Sequence, residues 1–215
     1  LLESLQALQQ RHTDPAYAEL FADFENRFRA RKQKVVEEWI DLDQELEQLS
    51  GELQEAKQLV ESWKIKGAAF KVLKAGLRRT YQRGAVALSQ LHKSSDDELF
   101  HECRKRSKYH LYHIRLLNQV WPTMLTARQS ELDELNDYLG DDHDLAVMTQ
   151  VITVEPDTFG ASADVEQLLT LIRQQRHELQ TAGLKLADRI FAEKPKAFAH
   201  RLKNYWKLWK ADRIG

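Results

Sequence analysis

We predict an all-α fold, because helix-breaking residues are rare and apolar residues recur at helical spacing. The 215 residues include 8 Gly and 4 Pro. Between them, apolar side chains return every three or four positions, which is the spacing of one helix face. No apolar run approaches the roughly 18 residues that a membrane-spanning helix needs. The prediction is therefore a set of antiparallel helices that bury a core, as one domain or two closely joined halves.

The charge composition excludes a generic polycation. Lysine and arginine together number 32, aspartate and glutamate 33, and the formal net charge is −1. Any affinity for anions must therefore come from local clusters of cations. The one cysteine, Cys103, excludes an intramolecular disulfide and is compatible with a reducing compartment. With no visible signal peptide, we expect a cytoplasmic protein.

The first part of the chain contains two predicted helices and a long apolar seam. The first helix ends near His12, and Thr13-Asp14-Pro15 starts the second, because proline is tolerated in a first turn. Apolar residues then follow a regular 4-3 spacing, which predicts an antiparallel hairpin or a coiled-coil-like helix. Gly51 lies inside this seam as a candidate break. The seam consists of Val35, Trp39, Leu42, Leu46, Leu49, Leu53, Ala56, Val60 and Trp63.

The charge reverses sign after this seam. Nine acidic residues and one basic residue lie between Glu37 and Glu61, which we interpret as a solvated acidic face. From Lys64 to Arg115 there are thirteen lysines or arginines, Lys66 among them, and four acidic residues. These cations fall on two predicted helices joined by a short loop, so the helices are expected to be antiparallel neighbours. A capping box of Ser95 and Glu98 starts the second helix.

That second helix, Leu99 to Leu117, carries a stripe of basic and polar residues. At 100° per residue they lie within about 60° of a common line. Like charges one turn apart repel, so the helix gains nothing from the stripe by itself. We expect an anionic partner, either the acidic residues at 37–61 or 131–144, or a ligand. The stripe consists of His101, Arg104, Lys105, Lys108, Tyr112 and Arg115.

Three further helices are predicted in the remainder of the chain. Trp121-Pro122 starts a helix that ends at Gly140, a left-handed C-terminal cap. Ser162 caps a long helix that reaches about Phe191, and the last helix follows Pro195. Basic residues recur along the last helix, either as a solvated face or as ligand contacts, and they are Lys196, His200, Lys203, Lys207 and Lys210.

The run Asp141-Asp142-His143-Asp144 raises the hypothesis of a metal site, because aspartate and histidine are metal ligands in helical phosphohydrolases. Such a site needs further ligands that converge in space. The alternative is that these are helix-starting acids, with Asp144 bonded to a neighbouring helix. The sequence has no glycine-rich phosphate loop, nucleophile elbow or paired-cysteine zinc spacing.

Four segments in the right order resemble the CHAD family, the conserved histidine α-helical domains. They are GLRRTYQRG (76–84), LFHECRKRSKYHLYHIRLL (99–117), YLGDDHDLAVM (138–148) and RIFAEKPKAFAHRLKNYWKLW (189–209). The resemblance covers about residues 60–210, and residues 1–60 only by helical character. It implies two related helical bundles around a basic cavity or pore. It also implies binding of inorganic polyphosphate rather than catalysis.

The resemblance implies a set of ligand-binding residues. His101, Arg104, Lys105 and Lys108 match the family's histidine-plus-basic helix, and Arg78, Arg79, Tyr81 and Arg83 match the preceding basic segment. Tyr112 and Arg115 complete the stripe, and Lys203 and Lys207 are candidates on the last helix. One departure is that only the second-half histidine helix is found, and the first would lie upstream of Leu1.

The resulting interpretation is a single domain over residues 1–215, with 1–62 the remainder of a first helical half and 63–215 the second half. We predict a non-enzymatic polyphosphate-binding module that acts in targeting or as an accessory, without a cofactor, a catalytic residue, a metal or a membrane partner. It would be cytoplasmic and associated with polyphosphate granules. The alternatives are a metal-dependent phosphohydrolase at Asp141–Asp144, and a binder of nucleic acid or anionic lipid through the same basic face.

Overall fold

The computed structural model describes residues 1–38, 42–64, 70–160 and 163–213. All regular secondary structure in these ranges is helical, which confirms the predicted all-α class. Short 3₁₀ turns at Pro15–Tyr17 and Asn118–Val120 precede two of the helices. The helices are α1 Leu2–Arg11, α2 Ala18–Glu38, α3 Leu42–Glu61, α4 Phe70–Leu91, α5 Asp97–Leu117, α6 Pro122–Val154, α7 Pro156–Phe159, α8 Ala163–Ile190 and α9 Pro195–Ala211.

The start of α5 differs from the predicted capping box. Asp96, not Ser95, is the N-cap, and its side chain accepts a hydrogen bond from the Glu98 backbone N–H at 2.9 Å. A carboxylate at this position satisfies one free N–H and also interacts favourably with the positive end of the helix dipole. The prediction of Ser95 was therefore wrong by one residue.

The predicted end of a helix at Gly140 is also wrong, because α6 continues without interruption to Val154. Gly160 is the one glycine with a positive φ in the described ranges, so Gly140 is not a left-handed cap. Gly140 faces α5, and a Cβ added to Gly140 would lie 3.7 Å from Nη2 of Arg104. Gly51 likewise causes no break in α3.

The core consists of two clusters that share the long helices α6 and α8. One cluster joins α4, α5 and α9 to the N-terminal half of α6 and the C-terminal end of α8. The other joins α1, α2 and α7 to the remaining halves of α6 and α8. Arg128 bonds the Ile190 carbonyl and Asp142 bonds Arg176, so α6 and α8 run antiparallel. The division of the chain at residues 62 and 63 stays a prediction, because α6 and α8 contribute to both clusters.

The acidic helix α3 differs from the other long helices because all of its residues are exposed. None of its residues is buried, and its apolar row is exposed, with Leu46 at 53% and Leu53 at 63%. No ion pair among the described residues links it to the basic helices, so the structure gives no support to 37–61 as their counter-charge. Trp39, Lys66 and Ser162, which enter the predictions above, lie outside the described residues. Among the described residues, no helix is both long enough and apolar enough to cross a membrane.

Candidate anion-binding site

Helix α5 is held between α4 and α6, which leaves its basic stripe facing outward. Its buried side includes Phe100, Cys103 and Ile114. The Ser107 hydroxyl lies 2.8 Å from Oδ1 of Asn136, whose amide nitrogen donates to the Leu132 carbonyl at 2.6 Å. Because both polar side chains are buried, this bond sets the register of α5 on α6. The register in turn decides which α6 residues lie beside the stripe.

An open groove of about 890 Å³ lies between α5 and α6, and it contains His101 and Lys105 of the stripe. His143 of α6 lines the same groove, with its ring centroid 5.1 Å from that of His101. Burial lowers the pKa of His143, and the nearby charges of Arg104 and His101 lower it further. From the sequence, His143 enters only the alternative hypothesis of a metal site, because its basic surroundings arise from the packing of α6 on α5.

The side chain of Arg104 on α5 is half-buried against Gly140 of α6. Its Nε is buried and has no hydrogen-bond partner in the structure. A buried donor without an acceptor is costly, so this nitrogen is a candidate for contact with an anion. Lys108 and Tyr112 follow along the stripe, and neither has an ion pair or hydrogen bond in the described part of the chain.

At one end of the stripe, the anionic partner is an acidic residue of a neighbouring helix and not a ligand. Nη2 of Arg115 lies 2.7 Å from Oδ1 of Asp133 on α6, and both side chains are substantially exposed. Such exposed pairs contribute only about 0–1 kcal/mol, so the pair leaves Arg115 able to exchange its partner for a ligand.

Glu102 is the one acidic residue of α5 within the span of the stripe, residues 101–115. Its carboxylate lies 2.5 Å from Nζ of Lys105 and 2.5 Å from Nη2 of Arg106. The hydrogen bond from Lys105 has the largest effect on the pKa of Glu102, and together with the hydrogen bond from Arg106 it holds that pKa below its usual value. The sequence reasoning missed Arg106 as a site residue, because it lies on the α4 side of α5, outside the predicted stripe.

A second groove, of about 430 Å³, lies on that α4 side. Arg79 and Arg83 line it from α4, and Glu102 and Arg106 line it from α5. Neither Arg79 nor Arg83 has a hydrogen bond or ion pair among the residues that the structure describes. Arg78 is exposed on α4 but does not line this groove. Four of the predicted ligand residues therefore line a groove, His101 and Lys105 the first and Arg79 and Arg83 the second, with Glu102 at both.

Tyr81 does not lie with the other candidate ligand-binding residues. Its side chain is fully buried, and its hydroxyl donates to the Ile190 carbonyl and accepts from the Glu193 N–H, each at 3.1 Å. The ring stacks on Phe198 with centroids 4.4 Å apart. This hydroxyl anchors the turn between α8 and α9, so we remove Tyr81 from the contact set. The sequence carries a signal for this burial, because Tyr81 lies four residues after Leu77 and seven before Leu88, at the spacing of one apolar helix face.

Lys203 and Lys207 lie one helix away from the stripe. Helix α9 packs on α4, through contacts such as Phe70 with Trp206. Lys207 is exposed and Lys203 is half-buried. They extend the basic surface beyond α4, and their contact with a ligand stays a prediction.

The Asp141–Asp144 run is dispersed by the structure. Asp142 is buried and accepts hydrogen bonds from Arg176 at 2.8 Å and Gln180 at 2.9 Å. Asp141 and Asp144 line a different pocket, beside α1, and His143 faces His101. No three or more potential metal ligands converge anywhere in residues 1–38, 42–64, 70–160 and 163–213. The predicted bond from Asp144 to a neighbouring helix is not observed, since that bond is made by Asp142.

Comparison with known proteins identifies one family. The model of the CHAD domain matches residues 1–153, well over half of the chain. The match includes the first 60 residues, where the resemblance rested on helical character, and it ends before α8 and α9. No curated protein and no solved structure matches.

Proposed function

Because the chain belongs to the CHAD domain family, we propose that it binds inorganic polyphosphate through the basic stripe of α5 and the adjoining face of α4. The family is associated with polyphosphate binding. The observation that carries the proposal for this chain is the row Arg104, Lys108 and Tyr112 on a packed helix. Arg104 and Lys108 are half-buried, Tyr112 is exposed, and none of them has an acidic partner among the described residues.

The chemistry of these residues suits a linear polyanion. Polyphosphate offers about one negative charge per phosphate and no base or ring to recognise, so affinity has to come from neutralised charge and released counterions, as with a nucleic-acid backbone. The planar guanidinium of Arg104 can contact two phosphate oxygens, and Lys108 supplies a compact charge. Because α5 is held by its buried side, these groups need little ordering when the ligand binds.

We propose binding rather than catalysis. Hydrolysis of a phosphoanhydride bond needs an activated nucleophile, which in the alternative hypothesis is a metal-bound water at Asp141–Asp144. The dispersal of these side chains in the structure favours the binding module. Phosphate release that depends on a divalent metal and is lost in Asp144→Ala would reverse this choice.

The direct test is a titration with long-chain polyphosphate at two salt concentrations. Arg104→Ala plus Lys108→Ala should weaken binding by at least tenfold at low salt, with the helical circular dichroism intact. A matched control is Lys185→Ala plus Arg189→Ala, an exposed pair at the same spacing on α8. Equal affinity of the wild type and the α5 double variant would refute the assignment of the site.

The same stripe could in principle be used by another polyanion, and competition separates the cases. Polyphosphate should displace labelled duplex DNA at concentrations where duplex DNA does not displace polyphosphate. Vesicles with anionic lipid serve as a third competitor. We further propose that the module acts on polyphosphate-rich bodies in the cytoplasm, which a fluorescent fusion in cells with and without polyphosphate would test.

A further inference from the structure

Two histidines from different helices face each other in the α5–α6 groove. His101 is exposed on α5 and His143 is half-buried on α6, and their ring centroids lie 5.1 Å apart. The two helices run antiparallel, and the buried bond between Ser107 and Asn136 lies about two turns from the histidine pair. The register that this bond sets therefore also places His143 opposite His101. The proposed function uses His101 and leaves His143 without a role.

The surroundings of the pair favour an uncharged imidazole on His143 in the free protein. Burial lowers the pKa of His143, and the charges of Arg104 and then His101 lower it further. Arg104 lies against Gly140, one turn before His143 on α6, so its guanidinium is close to the pair. On α6 itself, Asp144 and Asp142 raise the pKa of His143, but by less than the other groups lower it.

The two aspartates beside His143 are also occupied elsewhere. Asp142 is paired with Arg176 of α8, and Asp144 lines the pocket beside α1 together with Glu3 and Arg11. Every lining residue of the α5–α6 groove that the structure describes belongs to α5 or α6. The charges that an anion would meet in the groove are therefore those of α5 and of the histidine pair.

The sign of the charge in this groove depends on the two histidines. Besides them, its charged lining residues all belong to α5, and they are Asp97, Glu98, Glu102 and Lys105. Asp97 is paired with Arg176, and Glu102 with Lys105, which leaves the negative charge of Glu98 without an ion pair among the described residues. With both imidazoles neutral, an anion would meet a net negative lining. With both imidazoles protonated, that lining becomes net positive.

We propose that His101 and His143 form a proton-coupled subsite of the polyphosphate site, in which a phosphate group of the ligand enters the α5–α6 groove together with a proton on the imidazole pair. This inference rests on the proposed function and extends the site from the stripe of α5 to α6. It adds His143 as a contact residue, and it makes affinity depend on pH.

The physical reason is linkage between the anion and the proton. A phosphate group beside an imidazole favours the protonated ring, and the effect is reciprocal, so the proton strengthens binding of the phosphate by the same factor. Because the pKa of His143 is lowered in the free protein, the complex takes up a proton that the free protein lacks. Affinity therefore rises as the pH falls, by at most about tenfold per pH unit for each proton taken up.

The test is a titration with long-chain polyphosphate at pH 7.5 and pH 6, at constant ionic strength. The interior phosphates of a long chain are strong acids, so the charge of this probe does not change over the range. Affinity of the wild type should rise by about tenfold between the two pH values, and affinity of His143→Gln by about threefold or less. An equal rise for the two proteins would overturn the role of His143.

Isothermal titration calorimetry counts the protons directly, because two buffers with different enthalpies of ionisation give different heats when protons are exchanged. The wild type should take up protons when it binds polyphosphate at pH 6.5. His143→Gln should take up fewer, and the double variant His101→Gln plus His143→Gln fewer still. Binding by the wild type without proton uptake would overturn the inference.

His177→Gln is the matched control. His177 is exposed on α8, lines neither groove, and has no hydrogen bond or ion pair in the described part of the chain. This variant should keep the pH dependence of the wild type, and circular dichroism at each pH checks that all the proteins are folded. Salt-sensitive binding with no pH dependence refutes only this inference, whereas the absence of salt-sensitive binding to the wild type at both pH values refutes the proposed function as well.

Discussion

Nε2 of His110 lies 3.1 Å from a guanidinium nitrogen of Arg128 in the interior of the helical bundle. Arginine is only a donor, so Nε2 must be the acceptor and the neutral imidazole carries its proton on Nδ1. That Nδ1 is buried and has no partner. The same guanidinium donates to the Ile190 carbonyl at 2.6 Å, which ties α5, α6 and the end of α8 together.

This relationship predicts a loss of stability in mild acid. Burial, followed by the charges of Arg128, His113 and Arg201, lowers the pKa of His110 well below its usual value. Below about pH 6.5 the unfolded chain binds a proton at this residue that the folded protein does not, so the free energy of unfolding falls by up to about 1.4 kcal/mol per pH unit. The measurement is urea unfolding of the wild type and His110→Gln between pH 7.5 and 5. The variant should lose less stability over this range; parallel curves would contradict the prediction.

Gly84→Ala should destabilise the protein through Phe191, the residue that follows α8. A Cβ on Gly84 would overlap the ring of Phe191, which is itself buried against Tyr81 and His110. Because the ring is enclosed, we expect a cost of about 1–3 kcal/mol. Gly76→Ala is the control on the same helix, since nothing lies within 4 Å of the added carbon. It should stabilise α4 by about 1 kcal/mol or less, and thermal unfolding of both variants checks the difference in sign.

Asp142→Asn should weaken the fold more than Asp144→Asn. Asp142 is 2% exposed and pairs with Arg176, so removal of its charge leaves a largely buried guanidinium with only its second partner, Asp97. We expect a loss of about 2–4 kcal/mol. Asp144 is exposed and lacks a partner in the described residues, so its substitution should change stability by less than about 0.5 kcal/mol. Similar losses in chemical unfolding would contradict the prediction.

Tyr81→Phe should separate structure from binding in the α4 segment. The substitution leaves the Glu193 N–H without its acceptor and the Ile190 carbonyl without this donor, at a cost of about 1–2 kcal/mol. Affinity for long-chain polyphosphate should not change, because the hydroxyl lies in the core. A tenfold weaker binding by a folded Tyr81→Phe protein would restore Tyr81 to the contact set.

The salt dependence of binding should report the number of cations in contact with the ligand. For a flexible polyanion, each neutralised charge contributes about 0.7 to the slope of log affinity against log salt. Loss of Arg104 and Lys108 together should therefore reduce that slope by about 1.4. Loss of affinity at an unchanged slope would mean that these residues act by shaping the groove and not by direct contact.

The sequence was sufficient for the helical class, for the family resemblance and for the basic stripe. Each of these depends on local chemistry: the 3.6-residue period of apolar positions, rare glycine and proline, and cations at one-turn spacing. Helix starts were predicted to within a residue or two, as at Asp97, because a cap is a local hydrogen bond.

Only the tertiary structure decided which of these residues share a groove. The burial of Tyr81, the pairing of His101 with His143, and the shared carboxylate of Glu102 all depend on how α4, α5 and α6 pack. Gly140 is a further example: local rules predict a helix end at this glycine, but α6 continues through it to Val154 because the helix is packed on both sides of it. A sequence specifies the faces of each helix by its period, but which faces meet depends on contacts between residues far apart in the chain.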